Sequence, residues 1–235
     1  NHGDGLAISR DNISLNRTVK ISNSTFYKND NNALDNYGHG IYMDTTGTVT
    51  MKNLYLDQNE EAGLTLKHRG NVSVTNATFL GNERGAFLIE TCNKLAREFS
   101  YAGAGKVTLT DLMVHANPQG LSVNAKGAIT AKYLDVYMTR ANFENGFGSG
   151  NITIQYSGFN AAVGGTGLEI HSAGSVYLKG VDVTNSDSYG LDVDATYGHG
   201  SVQIQGGKDI TNHFSDNTYY GVLIQAHGLI ALTNV

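Results

Sequence analysis

The sequence predicts an all-β chain wound as a right-handed parallel β-helix, a solenoid of about nine coils with three parallel sheets and uncapped ends. Three observations predict it. A Gly followed by an apolar-x-apolar triplet recurs along the whole length, with anchors at residues 5, 40, 63, 85, 120, 167, 190 and 221. Between anchors lie further runs that alternate apolar and polar residues with period 2, the pattern of strands buried on one face. The composition agrees: Gly is 29 of 235 residues, Pro is 1, Trp is 0, and hydrophobic residues are 40%. That balance suits many short strands joined by polar turns, not a disordered chain.

The anchors are unevenly spaced but share a basic step. That step is the short one from Gly40 to Gly63, from Gly63 to Gly85 and from Gly167 to Gly190. It marks one turn of the solenoid. The longest gap, from Gly120 to Gly167, holds two coils, the second marked by Gly150-Asn151-Ile152-Thr153-Ile154. The first strand of each coil points pairs such as Ile41/Met43, Leu64/Leu66, Leu168/Ile170 and Leu191/Val193 inward. The second does so with Val49/Met51, Val72/Val74, Val107/Leu109 and Val176/Leu178, and the third with Leu54/Leu56, Ala77/Phe79, Leu112/Val114 and Val181/Val183. Three strands at this period pair with the like strand of the next coil, because each coil buries its apolar set only against its neighbours. Residues 9–17, 90–103, 194–200 and 206–213 break the pattern and read as insertions, the second with a helical turn.

Two asparagine columns support this stacking. Asn23, Asn53, Asn76 and Asn234, with Asp111 as a variant, precede the third strand. Asn29, Asn59, Asn82, Asn117 and Asn217 follow it, each at the same short offset past a core apolar residue. Asn tolerates left-handed backbone and satisfies turn amides with its own side chain.

Composition excludes several functions. Net charge is −5 with no Lys/Arg run, so no nucleic-acid footprint exists, and an acidic polysaccharide meets little positive field overall. No apolar run approaches a membrane span, so no membrane insertion is expected. Cys92 is alone and forms no intrachain disulfide. No phosphate-cradling Gly loop precedes a helix, and the eight His lack ligand spacing, so neither cofactor nor metal is expected. Asn-x-Ser/Thr sequons stand at Asn12, Asn16, Asn23, Asn71, Asn76 and Asn151. Those at Asn23 and Asn76 fall in the ladder, which argues against a glycan there.

Candidate chemistry comes from the stacking. On the first strand the outward residues are Glu169 and His171 in one coil and Asp192 and Asp194 in the next. Parallel neighbours lie about 4.8 Å apart, so Glu169 stands over Asp192 and His171 over Asp194, with Gln225 beyond. Paired carboxylates at that separation suit acid–base work or a Ca²⁺ site. A solvated acidic face of an acidic protein has the same residues. In earlier coils this face opposes Asp44 to Lys67, an ordinary charge pair. A column of Thr50, Ser73, Thr108, Thr130 and Thr153 lies on the second strand, where Thr is favoured sterically.

Residues 167–185 and 221–235 resemble the repeat of large secreted β-helical proteins of bacteria. The stretch Val19-Lys20-Ile21-Ser22-Asn23-Ser24-Thr25-Phe26 is similar to the strand-turn-strand of polymorphic outer-membrane proteins and haemagglutinin-like adhesins. The resemblance implies the solenoid and an extracellular or cell-surface setting. The chain opens almost at once with a first strand and stops just after a second, without amphipathic caps. It therefore reads as one solenoid over 1–235, a segment of a longer chain or a filament subunit. Its expected role is structural or adhesive, its partners further coils of its own kind, in its parent chain or stacked head to tail, and surface glycans. The alternative is a polysaccharide hydrolase, lyase or lectin using Glu169, His171, Asp192 and Asp194. Polygalacturonases carry Asn-Thr-Asp, Asp-Asp, Gly-His-Gly and Arg-Ile-Lys motifs, and Asn185-Ser186-Asp187, Asp192, Asp194 and Gly198-His199-Gly200 are similar in order. They depart in spacing, because all fall within one coil and no Arg-Ile-Lys follows.

Overall fold

The computed structural model describes residues 3–8, 18–29, 38–90, 105–118, 120–145, 148–207 and 209–235. The insertions expected at 9–17 and, but for its first residue, at 90–103 lie outside the described residues, as does Cys92. Nineteen strands follow one another: β1 (Leu6–Ile8), β2 (Val19–Tyr27), β3 (Ile41–Thr45), β4 (Thr48–Asp57), β5 (Leu64–His68), β6 (Asn71–Leu80) and β7 (Phe87–Glu90). Next are β8 (Val107–His115), β9 (Leu121–Asn124), β10 (Ile129–Tyr137), β11 (Ala141–Asn145), β12 (Ile152–Asn160) and β13 (Leu168–Ser172). The last are β14 (Val176–Thr184), β15 (Leu191–Ala195), β16 (Val202–Gln205), β17 (His213–Ser215), β18 (Val222–Ala226) and β19 (Ile230–Thr233).

All strand pairings are parallel and link one coil to the next. One sheet runs β1-β3-β5-β7-β9-β11-β13-β15-β18. The other runs β19-β16-β14-β12-β10-β8-β6-β4-β2, with β17 paired to β14. The second and third faces of the coil are therefore two arms of one bent strand. The bend is a single left-handed residue: Asn23, Asn53, Asn76, Asp111, Tyr133, Tyr156 and Gly180 all have φ between 51° and 60°. Asn, Asp and Gly enter that region at little cost, and bulky residues do not.

Inward residues of the three faces meet in one unbroken core. Ile41, Met51, Leu56, Leu66, Phe79, Leu109, Phe143, Phe159, Leu178 and Ile204 are essentially inaccessible to solvent. Each such side chain contributes about 1.5–3 kcal/mol from burial.

The asparagine columns become two hydrogen-bonded ladders of opposite polarity. On the inside, Asn29 Nδ2 donates to Asn59 Oδ1 at 2.6 Å, Asn59 Nδ2 to Asn82 Oδ1 at 2.7 Å, and Asn82 Nδ2 to Asn117 Oδ1 at 3.0 Å. Each Oδ1 also accepts the backbone N–H of the preceding ladder residue, a turn donor that would otherwise be buried without an acceptor. Thr139 continues this column, since its Oγ1 accepts from Asn117 N at 3.0 Å. Asn217 bonds Ser186 N and Val183 O. On the outside, Asn53 Nδ2 donates to Asn23 Oδ1 at 2.7 Å and Asn76 Nδ2 to Asn53 Oδ1 at 2.8 Å. Asn234 shares their left-handed backbone, with φ of 50°.

Two expectations need correction. Gly85 is not the anchor of its coil: Phe87 pairs with Leu64, so Ala86 occupies the column of Gly40 and Gly63. The column favours Gly because a Cβ on Gly40 or Gly63 would lie 2.6–2.8 Å from the carbonyl of the coil above. Within the gap between Gly120 and Gly167, β11 opens after Arg140, a position without the Gly that marks most first strands.

Candidate functional site

The outward face of β9, β11, β13 and β15 gathers most of the polar chemistry. Period 2 sends Ala141, Phe143, Leu168, Ile170, Leu191 and Val193 inward, leaving Asn142, Glu144, Glu169, His171, Asp192 and Asp194 half-buried on the outside. Pairing sets Asn142 beside Glu169 and Glu144 beside His171. It sets Glu169 beside Asp192 and His171 beside Asp194, and Gln225 beyond Asp194. All four candidate residues share one patch.

Their electrostatics differ. His171 Nε2 lies 2.8 Å from Glu169 Oε1, on the same strand face. This hydrogen bond holds the Glu169 carboxyl below its ordinary range, against the opposing effect of burial, and Arg140 adds to it. The same bond raises His171, again against burial. Burial pushes Asp192 up, and the negative charge of Glu169 pushes it further. Burial also raises Asp194, but the side-chain and backbone donors of Thr196, at 2.6 and 2.9 Å, outweigh it and hold the carboxyl down. The patch thus pairs one carboxylate kept ionised with another whose proton is held more tightly. Tyr197 meets the His171 ring edge-on at 6.1 Å between centroids. His171 Nδ1 is shut off from solvent and has no partner. Among the described residues no group of three or more His, Cys, Asp or Glu is arranged to hold a metal ion.

Beside this patch lies an open groove of about 420 Å³, lined by Ser122, Arg140, Asn142, Gly165, Thr166, Glu169 and Ser188 together with Leu121 and Ala141. Gly165 makes room for Arg140, whose Cδ lies 2.6 Å from where a Cβ would stand. Asn142 Oδ1 is buried in this region without a donor. Asp187, of the motif similar to polygalacturonases, accepts the Gly164 N–H at 2.7 Å. It supports the loop that carries Gly165 and Thr166.

Thr166 and Ser188 lie in the turns just ahead of Gly167 and Gly190, outside the alternating strands, and Arg140 and Asn142 escape sequence reasoning because β11 lacks its Gly anchor. The alternation Ala141-Asn142-Phe143, one coil ahead of Leu168-Glu169-Ile170, is the signal that finds them.

A family model described as a right-handed β-helix region matches residues 1–99 and 39–208. No curated protein and no solved structure matches the chain at a significant level. Matched over most of its length, and wound as parallel coils around one core, this chain belongs to the right-handed β-helix family.

Proposed function

We propose that this β-helix is a rigid extracellular or cell-surface segment with an adhesive role, which holds a surface glycan in the groove over β9, β11 and β13. The observation that carries the reading is the open groove of about 420 Å³, which sets the polar residues Ser122, Arg140, Asn142, Thr166, Glu169 and Ser188 side by side. Hydroxyl, amide, guanidinium and carboxylate groups gathered in one open groove match the donors and acceptors of a sugar. The strands beneath are fixed by the core and the inner ladder, so the groove is ready-shaped for a ligand. Glycan-array binding tests this. Arg140→Ala and Asn142→Ala are expected to lower binding about tenfold or more while leaving the melting temperature within about 2 °C, because both lie outside the core. Retained binding in both variants refutes the groove as the site.

A second reading, polysaccharide cleavage by hydrolysis or elimination, is favoured by one observation. Asp192, with its proton held more tightly, stands next to Glu169, which stays ionised. That pairing suits a general acid beside a base or nucleophile. Asp192→Asn and Glu169→Gln would each remove cleavage, measured as new reducing ends or unsaturated products. If the parent protein cleaves no polysaccharide offered, the scaffold reading stands alone.

The coil of β18 and β19 exposes Leu229, Ile230 and Leu232 at 65, 43 and 53%. Such a face, with a strand edge beside it, suits stacking against another copy of the chain. Light scattering at high concentration tests stacking of separate copies. Concentration-dependent growth that Leu232→Glu suppresses is expected, and a strict monomer refutes it.

A further inference from the structure

The outward side of the third face is apolar over the coils of β2 to β10 and polar beyond them. Its edge row reads Tyr27, Asp57, Leu80, His115 and Tyr137 in successive coils. The row beside it reads Thr25, Tyr55, Thr78, Met113 and Asp135. Tyr27, Tyr55, Met113 and Tyr137 are 49, 39, 44 and 42% exposed. In the next two coils the same rows carry Gly158, Asn160, Asp182 and Thr184 instead. The carboxylates inside the patch are already held. Asp57 Oδ2 accepts from the Tyr55 hydroxyl at 3.3 Å, and Asp135 Oδ2 lies 3.0 Å from His115 Nε2. Exposed tyrosine and methionine among such subdued charges are the composition of a protein–protein interface, not of a solvated sheet face.

The patch is self-complementary about the coil of β6. Its edge row has tyrosine at both ends, leucine at the centre, and a carboxylate balanced by an imidazole between them. A two-fold interface needs this arrangement, because in it residue i meets j and j meets i. An axis along the strand direction at Leu80 sets two solenoids face to face and antiparallel, each row against its own reverse. Tyr27 then meets Tyr137, Asp57 meets His115, and Leu80 meets itself. In the second row Tyr55 meets Met113, a sulfur–aromatic contact. Thr25 is placed to donate to Asp135, and Thr78 meets itself. On the bend column beside them Asp111 meets Asn53, and Asn76 meets itself. No carboxylate opposes another across these rows, so the like-charge cost that forbids self-pairing does not arise. The exposed tyrosines and methionine, with Leu80 and the threonines between them, present about 500 Å² on each copy. Pairing buries about 1,000 Å² in all, the lower bound of a specific interface.

We propose that this face pairs with the same face of a second copy, as a side-by-side antiparallel dimer centred on Leu80. The area places it among weak associations, with Kd about 10–100 µM. Pairing closes at two copies, because the two-fold uses the whole patch. The surface is distinct from the groove over β9, β11 and β13 and from the coil of β18 and β19, and the proposal depends on neither.

The test is sedimentation equilibrium from about 1 to 500 µM on the full chain carrying Leu232→Glu, which suppresses stacking at the ends. A monomer–dimer equilibrium that stops at the dimer is expected. Leu80→Lys sets two ammonium groups face to face on the axis and raises Kd about tenfold or more. Its far-UV circular dichroism stays unchanged, because Leu80 lies outside the core. Tyr27→Glu and Tyr137→Lys each weaken the dimer. Combined in one chain they restore it, since the introduced charges then face each other with opposite sign across the axis. Thr184→Lys, on the same face beyond the patch, leaves Kd unchanged. A strict monomer, which leaves the face to a different protein, overturns the proposal. So does a dimer indifferent to Leu80→Lys, or a double tyrosine variant that pairs no more tightly than the single ones. Growth beyond the dimer overturns it equally, because it assigns the contact to an open-ended surface.

Discussion

Asn82→Ala puts the inner ladder to its sharpest test. The Asn82 side chain is wholly buried and makes four hydrogen bonds. Its Oδ1 accepts from Asn59 N and Asn59 Nδ2 at 3.2 and 2.7 Å, and its Nδ2 donates to Leu56 O and Asn117 Oδ1 at 3.1 and 3.0 Å. After truncation Asn117 Oδ1 still accepts the residue-82 backbone N–H, and Asn59 Nδ2 still reaches Phe26 O. The Asn59 N–H is left buried with no acceptor. That orphan costs about 1–3 kcal/mol, and the three other lost side-chain bonds about 1 kcal/mol each, so the whole is about 4–6 kcal/mol. The control is Asn53→Ala on the outer ladder, where the lost bonds face water and the added cost is an alanine at φ 54°. That comes to about 1–2 kcal/mol, and Asn53→Gly recovers most of it. Urea unfolding followed by far-UV circular dichroism gives the two values. Because repeat arrays can unfold in parts, amide exchange at Asn59 is measured alongside. The reasoning is refuted if Asn82→Ala costs no more than Asn53→Ala, or if the Asn59 amide keeps its protection.

Three further predictions concern the face and the turns. The Glu169–His171 bond contributes stability only while Glu169 is ionised and His171 protonated. Glu169 is lowered from 4.5, so its share is lost as pH falls through its folded value, and His171 is raised from 6.5, so its share is lost as pH rises through its folded value. A local stability maximum is therefore expected between about pH 4.5 and 6.5. It is worth under about 1 kcal/mol for so exposed a pair, and its disappearance in His171→Gln is read from melting temperature against pH. Asp192 is raised from 3.8, so its ionised form opposes folding at neutral pH. Asp192→Asn should raise the melting temperature slightly at pH 7, with the gain vanishing below pH 3.8, and a loss at pH 7 contradicts the assignment. Gly70→Ala should prevent the coil from closing, since a Cβ there would lie 1.4 Å from Gly47 O. Soluble, cooperatively folding Gly70→Ala protein would show the backbone approach to be wrong.

The chain itself determined the winding and most of the register. Period-2 alternation sets which residues face inward, and a fixed coil length sets which residues stack, so the ladder positions and the neighbourhood of Glu169, His171, Asp192 and Asp194 follow from counting. Counting failed where a coil lacks its marker: Arg140 stands in the Gly column before β11, so neither it nor the groove residue Asn142 has an anchor to place it. The tertiary structure alone decided the rest. Hydrogen-bond partners within a patch depend on rotamers and distances that no spacing encodes, so the Glu169–His171 bond and the divergent acidity of Glu169 and Asp192 emerge only when the side chains are placed. The same holds at the bend, where the left-handed backbone turns Tyr133 and Tyr156 into one stack and brings Lys132 and Lys179, far apart in sequence, over a single ring. Charge averaged along a chain carries no record of such convergence, because winding sets side by side the side chains that stand one full coil apart along the chain.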